Sequence, residues 1–114
     1  MIFLHRNYLI KNKTTLAMKT YLIKRDIPGA RKLTAEQLKK IAQKSCDVIE
    51  KLAPKIEWVH SYIAGDNLFC IYKAENEDII REHGAIGDFP VNKIDEIFGM
   101  FSPATATAPI AEHA

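Results

Sequence analysis

Residues 56–74 read IEWVHSYIAGDNLFCIYKA. Two runs rich in branched and aromatic side chains flank Gly65-Asp66-Asn67, the composition of a tight turn between antiparallel strands. The stretch therefore predicts a β-hairpin, with strands over 56–64 and 68–74. Upstream, Thr34-Ala-Glu-Gln37 has the spacing of a capping box, in which hydroxyl and amide each satisfy a free backbone N–H. Leu38, Ile41, Ala42, Ser45/Cys46, Ile49 and Leu52 then recur on one face at a helical period, until Pro54 stops the helix. Before it lies KTYLIKR (19–25), a β-rich run, joined to the helix through Asp26, Pro28 and Gly29 in turn roles. Downstream, Asn76-Glu77-Asp78 offers a capping Asn and two acids to a second helix. That helix runs through Ile79, Ile80 and His83 to an end near Gly84 or Gly87. Residues 93–101, KIDEIFGMF, read as the last strand. The order is β-α-β-β-α-β. Two right-handed crossovers interlock into one four-stranded antiparallel sheet with both helices on one face, the ferredoxin-like α+β fold.

The chain has 114 residues, enough for one core and too few for two. Its net charge is +2, and the first seventeen residues supply more than all of it, with Arg6, Lys11 and Lys13 and no acid. The remaining 13 bases and 14 acids make a near-neutral body. Such a body lacks the clustered Lys and Arg that phosphate backbones require, so a nucleic-acid partner is not expected. Two cysteines exclude a disulfide scaffold and a cysteine-rich zinc module. No stretch has the apolar length of a membrane span, and the interrupted apolar start is not a secretory signal. The expected location is the cytoplasm, with both thiols reduced. Regular patterning begins at Met18. Residues 1–17 thus read as an extension, with Met18 as an alternative start; 18–103 read as the domain and 104–114 as a flexible Ala/Thr/Pro tail.

Neither side of the hairpin is strongly polar. One sheet face goes under the helices, and the other would leave a large apolar patch in a monomer. A second copy packed face to face covers it, so the expectation is a homodimeric α+β barrel.

His60, Cys70, Tyr72 and His83 are the candidate metal ligands, because imidazole and thiolate together suit nickel, zinc or copper. Strict alternation puts Ile56, Trp58, His60, Tyr62 and Ala64 on one side of the second strand. A two-residue turn sets 60 opposite 71 and leaves Cys70 on the other face; a three-residue turn gathers His60, Tyr62, Cys70 and Tyr72 into one patch. The sequence leaves the register open. His83 follows Ile79 by four and so belongs to the buried stripe of its helix or its edge. Without metal, these residues read as a hydrogen-bonded core histidine and a small apolar cysteine. Cys46, mid-helix, reads as packing, since a nucleophile needs a base and an electropositive setting. There is no phosphate loop, no dinucleotide glycine pattern and no Ser-His-Asp set.

The stretches TYLIKRDIPGA, LKKIAQKSCDVI, EWVHSYIAGDNLFCIYKAENEDIIREHG and DFP resemble a family of small bacterial domains of unknown function that includes a nickel-binding protein. The most specific pieces are Gln43-Lys44-Ser45-Cys46, Trp58-Val59-x-Ser61-Tyr62, Cys70-x-Tyr72 and Arg81-Glu82-His83. The resemblance covers residues 18 to about 105. It implies a ferredoxin-like α+β barrel homodimer and a divalent transition metal, nickel, with Cys70, His83, His60 and Tyr72 carried over as candidate ligands. The family continues the last motif with Ala and Gly-Phe-Pro. Here Gly84 replaces the Ala and Asp88 parts Gly87 from Phe89-Pro90, which predicts an earlier end to the second helix and a shifted His83.

Three functions follow as expectations. The first is a dimeric metal-binding protein acting as carrier, buffer or sensor. The second is a cofactor-free, monooxygenase-like enzyme for a small molecule, with Trp58, Tyr62, Tyr72 and His83 around an enclosed cavity of a few hundred Å³. The third is a non-catalytic dimeric interaction module.

Overall fold

The structure, a computed structural model, describes residues 18–110. The 1–17 extension and His113 lie outside the described residues. The elements are β1 (Lys19–Asp26), α1 (Ala35–Leu52), β2 (Ile56–Ala64), β3 (Asn67–Ala74), α2 (Glu77–Gly87) and β4 (Lys93–Ile97), with short 3₁₀ turns at Ala30–Lys32 and Pro103–Thr107. The strands form one sheet in the order β2-β3-β1-β4, with every neighbouring pair antiparallel. Both helices pack against it, and the fold is ferredoxin-like α+β.

Local chemistry accounts for the helix starts. Thr34 Oγ1 accepts from the Gln37 N–H at 3.2 Å, and Gln37 Oε1 accepts from the Thr34 N–H at 2.9 Å. This is the capping box read from the sequence. Asn76 Oδ1 accepts from the Ile79 N–H at 3.1 Å and opens α2. The core lies between sheet and helices: Tyr21, Ile23, Leu68, Cys70, Tyr72 and Ala74 below, Val48, Leu52 and Ile80 above. Ser45 is buried on the α1 stripe, whereas Cys46 beside it is exposed.

Three expectations are corrected. First, β2 does not alternate strictly. Trp58 pairs with Tyr72 and His60 with Ile71, so Val59 is the extra residue of a β-bulge. Trp58 Nε1 donates to Ser61 Oγ at 2.9 Å across the bulge. Trp58 and Ser61 consequently share the helix-covered face, while His60 and Tyr62 turn to the open one. Second, α2 ends at Gly87, the later of the two ends read from the sequence, and not at the earlier end that the departure from the family motif predicted. It is closed by Asp88 in the left-handed conformation (φ 58°), and the Phe89 N–H returns to the Gly84 carbonyl at 2.8 Å. Gly84 serves packing instead, because a Cβ there would meet Val91 Cγ2 at 2.7 Å and the Phe89 carbonyl at 2.9 Å. Third, β4 stops at Ile97 instead of continuing to Phe101. Ile97 pairs with Thr20 and β1 begins at Lys19, so residues 99–101 would run past the end of the partner strand. Phe98, Met100 and Phe101 leave the sheet with 86–89% of their surface exposed.

Candidate functional site

β1 alternates Tyr21, Ile23 and Arg25 into the core. The third of these is a cation, and it is buried with only 2% of its surface exposed. Arg25 Nη1 donates to the Pro90 carbonyl at 2.9 Å. Nη2 makes a long contact of 3.4 Å to the Tyr72 hydroxyl. The guanidinium lies 5.8 Å from the Tyr72 ring centroid and 5.5 Å from that of Phe89, within cation–π range. Phe89 reaches this place because the turn after α2 folds its ring back over the helix. There it stacks on His83 at 5.5 Å with an interplanar angle of 20°. Lys44 Nζ stands over the same Phe89 ring at 5.3 Å.

His83 is fully buried, as the α2 stripe requires. Ser45 Oγ and His83 Nε2 share a hydrogen bond of 3.1 Å, and the Tyr72 ring is 5.1 Å away. Its Nδ1 is buried with no partner among the described residues. Burial and the nearby Arg25 charge push the imidazole pKa down to about 4, against a smaller opposing pull from the Ser45 hydrogen bond. His83 is thus neutral at pH 7. Burial raises the Tyr72 phenol above its usual value, and the Arg25 charge opposes the rise. The hydroxyl stays protonated.

Below α1, Arg25, Ser45, Tyr72 and Phe89 border a cavity of about 240 Å³. Leu38, Ile41 and Ala42 of α1 form one wall and Trp58 another. Cys70 and Tyr72 line it from β3, Ser45 and Ser61 bring hydroxyls, and the exposed Ile63 stands at its rim. Arg25 and Phe89 complete the lining, which contains no carboxylate.

The four candidate metal ligands do not come together within one chain. Cys70, Tyr72 and His83 gather on the helix side, but His60 is exposed on the opposite sheet face, in edge contact with Tyr62 at 5.0 Å. The hairpin has the two-residue loop Gly65-Asp66, with Gly65 at φ 60°, which settles the register against a shared face for His60 and Cys70. Among the described residues no three His, Cys, Asp or Glu side chains form a metal-holding group. The interior set is a poor nest for a divalent cation, since the fixed Arg25 charge lies against it and no acid faces it. Arg25, Ser45 and Phe89 were not among the site residues expected from sequence. Arg25 did leave a signal, two residues after Ile23 on the inward parity of β1; the folding back of Phe89 left none.

A comparison with curated proteins returns no significant match. Among solved structures, the crystal structure of SCO4226 from Streptomyces coelicolor A3(2) superposes with a TM-score of 0.60 at 13% identity, covering 72% of this chain and 99% of that one. At this identity the likeness establishes the shared fold. Residues 21–97 match the family model described as nickel responsive protein, SCO4226-like. That match spans most of the described residues, and the chain belongs to the SCO4226-like family.

Proposed function

We propose that this protein is a homodimeric, nickel-responsive binding protein. The observation that carries the reading is the family match over residues 21–97. The single chain supports it in two ways. Its open sheet face presents Leu22, Phe69 and Ile71 only partly covered, and Tyr62 exposed. The segment after β4 adds Phe98, Met100 and Phe101, for which the described residues provide no apolar cover. A second copy on this face removes it from water, and the rings beyond β4 add apolar surface for the contact. The same face carries His60, an accessible imidazole, together with Glu57 and Asp95 as oxygen donors. Imidazole and carboxylate both suit nickel. Among the described residues this face offers one imidazole, too few for a tight site, so His60 binds metal together with donors of the second copy.

The test is calorimetric titration of the full-length, tag-free, metal-free protein with Ni²⁺, Zn²⁺ and Cu²⁺. The expected result is saturable nickel binding at a fixed ratio to protein, weakened at least about tenfold in His60→Ala. Binding lost in His83→Ala or Cys70→Ser but kept in His60→Ala would move the metal to the interior set. No binding tighter than about 0.1 mM overturns the metal reading.

A further inference from the structure

The unexplained group in this molecule is Arg25. A buried charge is costly unless it is paired and fully hydrogen-bonded. Here the protein offers a carbonyl at 2.9 Å and a long contact to a protonated phenol. None of the four ion pairs among the described residues includes Arg25; all four are surface pairs. The cavity beside it has no acid in its wall. A second cation, Lys44, stands 5.3 Å from the Phe89 ring centroid. We propose that the cavity between α1 and the sheet binds a small aromatic carboxylate, with the carboxylate paired to Arg25 and the ring held among Leu38, Ile41 and Trp58.

The chemistry selects this ligand class. A guanidinium pairs best with a planar carboxylate through two parallel N–H···O bonds. The Ser45 and Ser61 hydroxyls border the same cavity and supply further hydrogen bonds. The remaining wall is largely apolar, so a bare inorganic anion would leave it unfilled. An engineered apolar cavity of about 150 Å³ takes benzene. The 240 Å³ present here has room for an aromatic ring bearing a short acid arm. A metal cation is disfavoured at the same spot by the charge that attracts the acid. The site lies on the helix side of the sheet, away from His60, and its existence does not depend on the nickel reading.

The experiment uses the full-length protein with EDTA present, so that metal plays no part. Benzoate and phenylacetate are titrated calorimetrically beside their neutral isosteres benzamide and phenylacetamide. The expected result is saturable binding of at least one acid, with its amide at least about tenfold weaker. Arg25→Met should weaken acid binding at least about tenfold, and Arg25→Lys should restore part of it. If the Arg25 variants do not fold, Ala42→Phe decides: it fills the cavity from α1 with Arg25 intact and should abolish acid binding. Equal affinity for acid and amide overturns the proposal. So does acid binding that survives Ala42→Phe, or the absence of binding tighter than about 10 mM for both acids.

Discussion

His83 is where burial has its clearest chemical consequence. Its pKa falls from the ordinary 6.5 to about 4 because the imidazole is dehydrated and faces Arg25. Between those two pH values the unfolded chain binds a proton that the folded chain does not. The stabilisation from keeping His83 neutral is therefore complete above pH 6.5, lost progressively as pH falls through 6.5 to 4, and gone below. The total is about 3 kcal/mol. His83→Phe keeps an aromatic ring against Phe89 and removes the titration. It should cost about 1 kcal/mol at pH 7, from the unpaired Ser45 hydroxyl. Urea unfolding between pH 7 and pH 4 should then show a markedly flatter loss of stability in His83→Phe than in the parent. Equal slopes in the two proteins would mean that His83 does not govern the acid limb.

At the scale of elements, the start of α1 and the interior of α2 make opposite points about local preference. Thr34→Ala removes the hydroxyl that accepts from Gln37 and should cost about 1 kcal/mol in urea melts. No loss would show that the box is dispensable to α1. Gly84→Ala improves intrinsic helix propensity by about 1 kcal/mol. Yet the new methyl would lie 2.7 Å from Val91 Cγ2 and 2.9 Å from the Phe89 carbonyl, an overlap worth roughly 1–3 kcal/mol. The expected net effect is destabilisation, with displacement of the Phe89 turn that closes over Arg25 and His83. A higher melting temperature for Gly84→Ala would show that the turn yields easily. Packing of α2 against the Phe89–Val91 turn thus outweighs the preference of the isolated helix.

At the scale of the whole molecule, the sheet has one covered face and one open one, and the chain just after β4 places Phe98, Met100 and Phe101 in water. Burying a Phe or Met side chain is worth roughly 1.5–3 kcal/mol, so three of them per copy can hold a dimer together. Sedimentation equilibrium of the full chain should report a dimer. Phe98→Ser combined with Phe101→Ser should shift it toward monomer without unfolding, because neither ring touches the core. Ile71→Lys on the open face should do the same. A monomeric parent protein would remove the dimer and, with it, any metal site at His60 that needs a second copy. Among the described residues no helix is long and apolar enough to cross a membrane.

The order of elements and the helix caps were legible in the sequence because each depends on neighbours within a few residues: Thr34 with Gln37, Asn76 with Ile79, glycine at the hairpin turn. The inward position of His83 followed from its spacing to Ile79. The grouping of site residues was not legible, for a physical reason. Side chains on a strand alternate with a period of two, and the single extra residue Val59 reverses that parity for the rest of β2. His60 thereby leaves the side of Trp58, and Ser61 takes its place. The meeting of Arg25, Tyr72, His83 and Phe89 required β1, β3 and the end of α2 to be docked on one another. Local chemistry along the chain determined which elements form, while only the packed tertiary structure decided that a cation would be buried beside an apolar cavity with no acid to pair it.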